Sequence, residues 1–210
     1  MQVKTFYLNP FRECTYLISH KEGECIIIDC GCYGERECQR IREYVEKNNL
    51  RITHHLLTHA HIDHLFGAWF IYNEYGILPT LSEQDDWLFT HVQQQAAAFG
   101  IPLESNTLQE YIPLSTISIE GMTTISTPGH SPGSVCYLFH QPQSDFLFSG
   151  DTLFQGGIGR TDLFGGNYYQ LMSSLNLLAK LPAETLVYPG HGFETTIGQE
   201  ISTNPYLQGW

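Results

Sequence analysis

The sequence predicts an α+β protein in which two sheets pack face to face and helices cover their outer sides. Two observations predict it. Strand-like and helix-like segments fall into two halves of similar size, each running β then α. No linker, low-complexity tract or strong repeat divides the 210 residues, so one domain over 1–210 is expected.

The elements follow in order. Residues 3–8 and 14–19 alternate as strands around Asn9-Pro10-Phe11-Arg12, and Lys21-Glu22-Gly23-Glu24 reads as a hairpin turn. Residues 25–28 form an apolar strand that ends in Asp29-Cys30-Gly31. Cys38, Ile41, Tyr44 and Val45 recur at helical spacing and predict a helix over 35–47, stopped by Asn48-Asn49. A strand over 52–58, a helix over 65–75 ending at Gly76, and a strand over 77–81 come next. Ser82-Glu83-Gln84-Asp85 then has the form of a helix start, predicting one long helix to Phe99. Short strands are expected at 111–112, 116–119, 123–126, 134–139 and 146–148. Asn167 caps a predicted helix reaching Lys180, before a strand at 185–188 and a helix at 197–202.

Composition narrows the function. Hydrophobic residues at 42% and charged residues at 15% fit a soluble globular protein. A formal net charge of −12, with arginines interspersed among glutamates, disfavours nucleic acid. No charged leader with an apolar core opens the chain, and no apolar run approaches the ~20 residues of a membrane span, so a cytoplasmic protein is expected. The six cysteines are then read as reduced thiols, and Cys30-Gly31-Cys32 as structural rather than a soft-metal or redox pair.

The chemistry concentrates in His59-Ala60-His61-Ile62-Asp63-His64, directly after an apolar strand. Alternation in an extended segment sends His59 and His61 to one side, and the turn that follows lets Asp63 and His64 face the same space. Imidazole with carboxylate suits zinc, iron or manganese better than calcium. Three more polar residues follow apolar strands: His130 in Pro128-Gly129-His130, Asp151 in Ser149-Gly150-Asp151, and His191 in Pro189-Gly190-His191. Taken singly, each is an ordinary turn or strand exit; together they are hard to explain as independent accidents.

These motifs resemble the metallo-β-lactamase superfamily over nearly the whole chain, and within it the short hydroxyacylglutathione hydrolases (type II glyoxalases). The resemblance implies a four-layer αββα sandwich with the site at one sheet edge. It implies two divalent metal ions, zinc first with iron or manganese as alternatives. His59, His61 and His130 would hold one, Asp63, His64 and His191 the other, and Asp151 would bridge them. The implied chemistry is hydroxide attack on a small-molecule thioester, with Asp63 holding the nucleophile or taking its proton. Asp29 would orient a ligand histidine or water. Tyr137 and Tyr168 would lie near substrate. The glycine-rich stretch 156–166 resembles the Gly-Arg-x-Asp loop of the glyoxalase II and persulfide dioxygenase branches, with Arg160 and Asp162 paired to hold it. Long glyoxalase II enzymes carry a basic C-terminal helical domain, whereas residues 195–210 here hold no Lys or Arg.

Other readings of the same motif are a mononuclear iron persulfide dioxygenase using His59, His130 and Asp151, a lactonase or other ester hydrolase, and a non-catalytic binding module. His54 and His55 are read as surface residues or supports of the site. His20, His91 and His140 fit no ligand pattern, and Trp69, Phe70, Trp87, Leu88 and Phe89 read as core.

Overall fold

Strands and helices occupy both halves of the chain in the order expected. A computed structural model describes residues 1–21, 23–103 and 107–208, side chains of 20 and 21 excepted, so Glu22 of the expected hairpin turn lies outside the described residues. The chain divides into two compact units, 1–116 and 117–210.

The first unit carries β1 (Gln2–Leu8), β2 (Glu13–Lys21), β3 (Glu24–Ile28), α1 (Glu35–Lys47), β4 (Arg51–Leu56), α2 (Ile62–Leu65), α3 (Ala68–Tyr75), β5 (Pro79–Leu81), α4 (Asp86–Thr90), α5 (Val92–Ala98) and β6 (Ile112–Pro113). The strands form one sheet in chain order, antiparallel from β1 to β3 and parallel from β3 to β6. After Glu24, β3 runs Cys-Ile-Ile-Ile because it lies inside the sheet, and these four residues are fully buried. Its Cys25 and Ile27 pack with Leu17 and Ile52 against Ile41 and Val45 of α1 and Ile71 of α3. A second cluster joins Leu57, Ile62 and Leu81 to Leu88, Phe89, Val92 and Ala96.

The second unit carries β7 (Met122–Ser126), β8 (Val135–Phe139), β9 (Phe146–Gly150), β10 (Leu153–Phe154), β11 (Gly157–Ile158), α6 (Tyr168–Leu178), β12 (Leu186–Pro189), β13 (Thr195–Thr196) and α7 (Ile197–Thr203). Its sheet has the order β13-β12-β9-β8-β7, with β9 and β12 parallel, and β10 and β11 form a separate ribbon. Leu171, Leu175 and Leu178 of α6 cover Cys136, Leu138, Leu147 and Val187 of that sheet. Burying leucines of this kind stabilises by roughly 1.5–3 kcal/mol each. The Asn167 side chain accepts from Gln170 N at 3.1 Å, as its capping role requires.

Three expectations differ from the structure. The single helix to Phe99 breaks at His91, because the Thr90 hydroxyl donates to the carbonyls of Asp86 and Trp87, and His91 leaves helical geometry. The helix over 65–75 is split at Gly67. No strand forms at 116–119. β6 stops at Pro113, which has no N–H to continue a ladder, and residues 114–116 turn as a 3₁₀ helix. His55 is completely buried, which removes the surface alternative of its reading, since β4 is interior, flanked by β3 and β5. Among the described residues no helix is long and apolar enough to cross a membrane.

Candidate metal centre

In the first unit the ligand motif begins where β4 ends. Asp29, just beyond β3, takes the left-handed conformation at φ 52° and is tied by its N–H to the Leu56 carbonyl at 2.8 Å. Its carboxylate then accepts from Thr58 N at 2.8 Å, Thr58 Oγ1 at 2.8 Å and His64 Nδ1 at 2.8 Å. These contacts set the tautomers. His64 donates from Nδ1, so its Nε2 carries the lone pair. The one proton of Thr58 Oγ1 goes to Asp29, so at the 3.0 Å contact with His59 Nδ1 the hydroxyl oxygen accepts. His59 Nε2 is therefore also the ligating nitrogen.

The three imidazoles gather closely. The His59 ring centroid lies 4.8 Å from that of His61 and 4.2 Å from that of His64, and all three rings are buried. Asp63 sits in the first turn of α2, its Oδ2 3.8 Å from His64 Nε2. The loop is held by groups that the sequence did not reveal. Buried Asp85 accepts from Ala60 N at 2.9 Å, where a helix-start role had been expected of its segment. Gln95 accepts from Ile62 N at 3.1 Å and donates to Ala60 O at 2.9 Å. Asn9 donates to Asp63 O at 2.9 Å. Behind Asp29 and His64 lies Glu13, also fully buried. Burial raises its pKa well above the usual carboxylate range, with His64 opposing the rise and Asp29 adding to it.

In the second unit, three strand ends bring Asp151 between two histidines. Asp151 Oδ2 lies 3.4 Å from His130 Nε2 and 3.6 Å from His191 Nε2. Gly190 N donates to Gly150 O at 2.8 Å, joining the loops that carry His191 and Asp151. His130 Nδ1 donates to the Arg160 carbonyl at 2.7 Å, which directs Nε2 toward Asp151. Glycine is required at two points. A Cβ on Gly129 would lie 2.2 Å from Leu171 N, and one on Gly159 would lie 1.8 Å from the Asp151 carbonyl oxygen and 3.1 Å from His130 Nδ1.

The Arg160 guanidinium meets Asp162 in a bidentate pair at 2.6 and 2.7 Å. That hydrogen bonding pulls the Asp162 pKa down to about 2. Arg160 thus acts on His130 through its backbone, while its side chain fixes the loop. Tyr168 is exposed at the start of α6, whereas Tyr137 is wholly buried in β8 as a core residue and presents no surface to a substrate.

The donor set fits a divalent cation of the zinc type. Bonds of about 2.0–2.2 Å to a tetrahedral ion place neighbouring donor atoms roughly 3.3–3.6 Å apart. The 3.4 and 3.6 Å separations about Asp151 lie in that range and beyond direct hydrogen bonding. Nδ1 engaged by carboxylate, hydroxyl or carbonyl, leaving Nε2 to the ion, is the usual support of a metal-bound histidine.

A sheet-and-helix frame with histidine and aspartate at strand ends defines a metal-binding class of protein. The chain belongs to the metallo-β-lactamase superfamily, whose family model matches residues 9–191. It is similar to the hydroxyacylglutathione hydrolase GloC of Haemophilus influenzae, 35% identical over 218 residues that cover 99% of this chain and 98% of GloC. Two crystal structures share its fold. The B3 metallo-β-lactamase BLEG-1 matches with a TM-score of 0.87 and 32% identity, over 99% of this chain and all of that one. TTHA1623 in a di-iron-bound form matches with a TM-score of 0.83 and 35% identity, over 98% and 100%.

Proposed function

We propose that the chain works as one functional domain and hydrolyses a small-molecule thioester at a pair of divalent metal ions. The observation that carries the metal pair is Asp151, whose carboxylate stands between His130 and His191 at ligand-to-ligand spacing. Both separations are to the same atom, Oδ2, so one carboxylate oxygen would serve both cations. In this reading His59, His61 and His130 hold one ion, Asp63, His64 and His191 the other, and Asp151 both. Zinc suits the donors, and iron or manganese would be accommodated. The thioester assignment is supported by the likeness to GloC across both chains.

When bound, the metal pair supplies Lewis acidity and a water acidified from a pKa of ~15.7 toward neutrality. The chain's own residues supply the rest. Asp63 orients the attacking water and accepts its proton. Asp29 and Thr58 keep His64 and His59 in the tautomer that presents Nε2, and the Arg160 carbonyl does the same for His130. The tetrahedral adduct collapses by breaking the C–S bond, and a thiolate leaves without a strong acid to protonate it.

The test is turnover of metal-loaded protein on S-D-lactoylglutathione, with a β-lactam and a glutathione persulfide offered in parallel. Thioester hydrolysis that Asp63→Ala lowers by ~100-fold or more is expected for loss of the proton acceptor. Oxygen uptake with the persulfide, or turnover of the β-lactam alone, would overturn the assignment.

A further inference from the structure

Three thiols lie in a row in the first unit, beginning at Cys30, whose N–H donates to the His64 carbonyl at 3.1 Å. Cys30 Sγ is 3.5 Å from Cys32 Sγ, and Cys32 shares a sulfur–sulfur hydrogen bond of 3.3 Å with Cys38 Sγ. Among the described residues none of the six cysteines is in a disulfide. We propose that Cys38 and Cys32 form a dithiol–disulfide site that reacts with hydroperoxides entering from an adjacent cavity.

Geometry separates the roles of the three sulfurs. Cys32 and Cys38 line a cavity of about 640 Å³, together with Arg42, Trp69, Phe70 and Glu74. Cys30 does not line it. On its other side Gly67 closes in so tightly that a Cβ there would lie 2.4 Å from both the Cys30 and Cys32 sulfurs. Cys38 is the most accessible of the three, at 8% against 1% and 0%. It sits in the N-terminal part of α1, where the helix favours negative charge. The hydrogen bond with Cys32 lowers its pKa, and Arg42 adds to that effect against burial and Glu35. Cys32, hydrogen-bonded to both other thiols and buried, is raised well above the ordinary thiol range. Cys38 is therefore the attacking sulfur and Cys32 the resolving one.

The chemistry balances in two steps. The Cys38 thiolate attacks one oxygen of hydrogen peroxide, the O–O bond breaks, and the other oxygen leaves as hydroxide, which takes up a proton to become water. Cys38 is then a sulfenic acid. The Cys32 sulfur attacks the Cys38 sulfur, an S–S bond forms, the S–O bond breaks, and the oxygen departs with the thiol proton as a second water. The two thiols lose two electrons and the peroxide gains them. Closing 3.3 Å to a bond of about 2.05 Å needs movement of about 1.3 Å, within reach of side-chain rotation.

The experiment uses the full chain, reduced and then exposed to a few equivalents of hydrogen peroxide. Remaining thiols are alkylated under denaturing conditions and the intact mass is read. The wild type is expected to lose two of its six alkylation sites and two hydrogens. Trypsin cuts at Arg36, between the two residues, so the disulfide should join the peptide ending at Arg36 to the one carrying Cys38. Fragmentation should place the bond on Cys32. Cys30→Ser should keep this bond and Cys38→Ser should abolish it. Six sites still open to alkylation, a disulfide that omits Cys38, or a Cys38 sulfinic acid with no disulfide would each overturn the proposal. The wild-type readout decides the matter even if a variant fails to fold.

Discussion

His55 should make this protein lose stability on mild acidification. Its ring is 0% exposed in an interior strand, and among the described residues neither ring nitrogen has a hydrogen-bond partner. Burial pushes its pKa down to about 3. In the unfolded chain the ring takes a proton near pH 6.5, while in the folded chain it stays neutral until about pH 3. Between those values the unfolded state binds more protons, so stability rises with pH and falls as pH drops. From about pH 7.5 to about pH 5.5 the unfolded histidine goes from about a tenth to about nine tenths protonated, which removes about 1.4 kcal/mol. The assay is urea unfolding at both pH values, for wild type and His55→Leu, with metal stripped from each so that its release does not enter. The wild type should lose about 1.4 kcal/mol more than the variant over this interval. The variant should also be the more stable at both pH values, having no desolvated nitrogens to bury. Equal pH losses in the two proteins would refute the reasoning.

Three further outcomes are expected. Asp29→Asn sets an amide against donors at Thr58 and His64 and should weaken metal affinity by ~10–100-fold, measured by competition with a chelator; unchanged affinity would contradict the tautomer argument. Gly159→Ala forces its methyl into the Asp151 carbonyl and should lower metal affinity at least ~10-fold while leaving all donor residues in place, and near-wild-type binding would show that the loop yields freely. Glu200 is buried in α7 and accepts from Gly156 N at 2.8 Å, Thr195 Oγ1 at 2.6 Å and Asn204 Nδ2 at 2.9 Å. Glu200→Ala strands Gly156 N and Thr195 Oγ1, while Asn204 Nδ2 keeps the Gly157 carbonyl at 3.0 Å, and should cost about 2–5 kcal/mol in denaturant unfolding. A loss below about 1 kcal/mol would mean that water replaces the carboxylate.

Regular elements were legible where one periodicity governed them. Cys38, Ile41 and Val45 mark the buried face of α1, and that helix runs over the residues expected. The apolar run 25–28 of β3 announced an interior strand because no polar residue interrupts it. The strand-end histidines and aspartate suggested chemistry only jointly, since each Pro-Gly-His or Gly-Asp is by itself an ordinary turn or strand exit. What stayed hidden depends on contacts distant in sequence. Asp85 and Gln95 hold a loop some 25 and 35 residues before them, and no local pattern announces such partners. The β10–β11 ribbon has two-residue strands, too short for alternation to show. The burial of His55 was left open because β4 reads as polar at His54-His55, and only the sheet order shows that both its neighbours are strands. Cys38 looked like one apolar position on a helix face, and its sulfur contact with Cys32 is a matter of packing.

The central claim, carried over from the proposal, is that the chain holds a metal pair with Asp151 serving both ions. Metal content per chain, measured on protein purified without added metal and again after loading with zinc, tests it most directly. The account predicts about two ions per chain in the wild type, and one or fewer in Asp151→Asn with the fold intact by circular dichroism. One ion per chain in the wild type after loading, or a content that Asp151→Asn leaves unchanged, would contradict it.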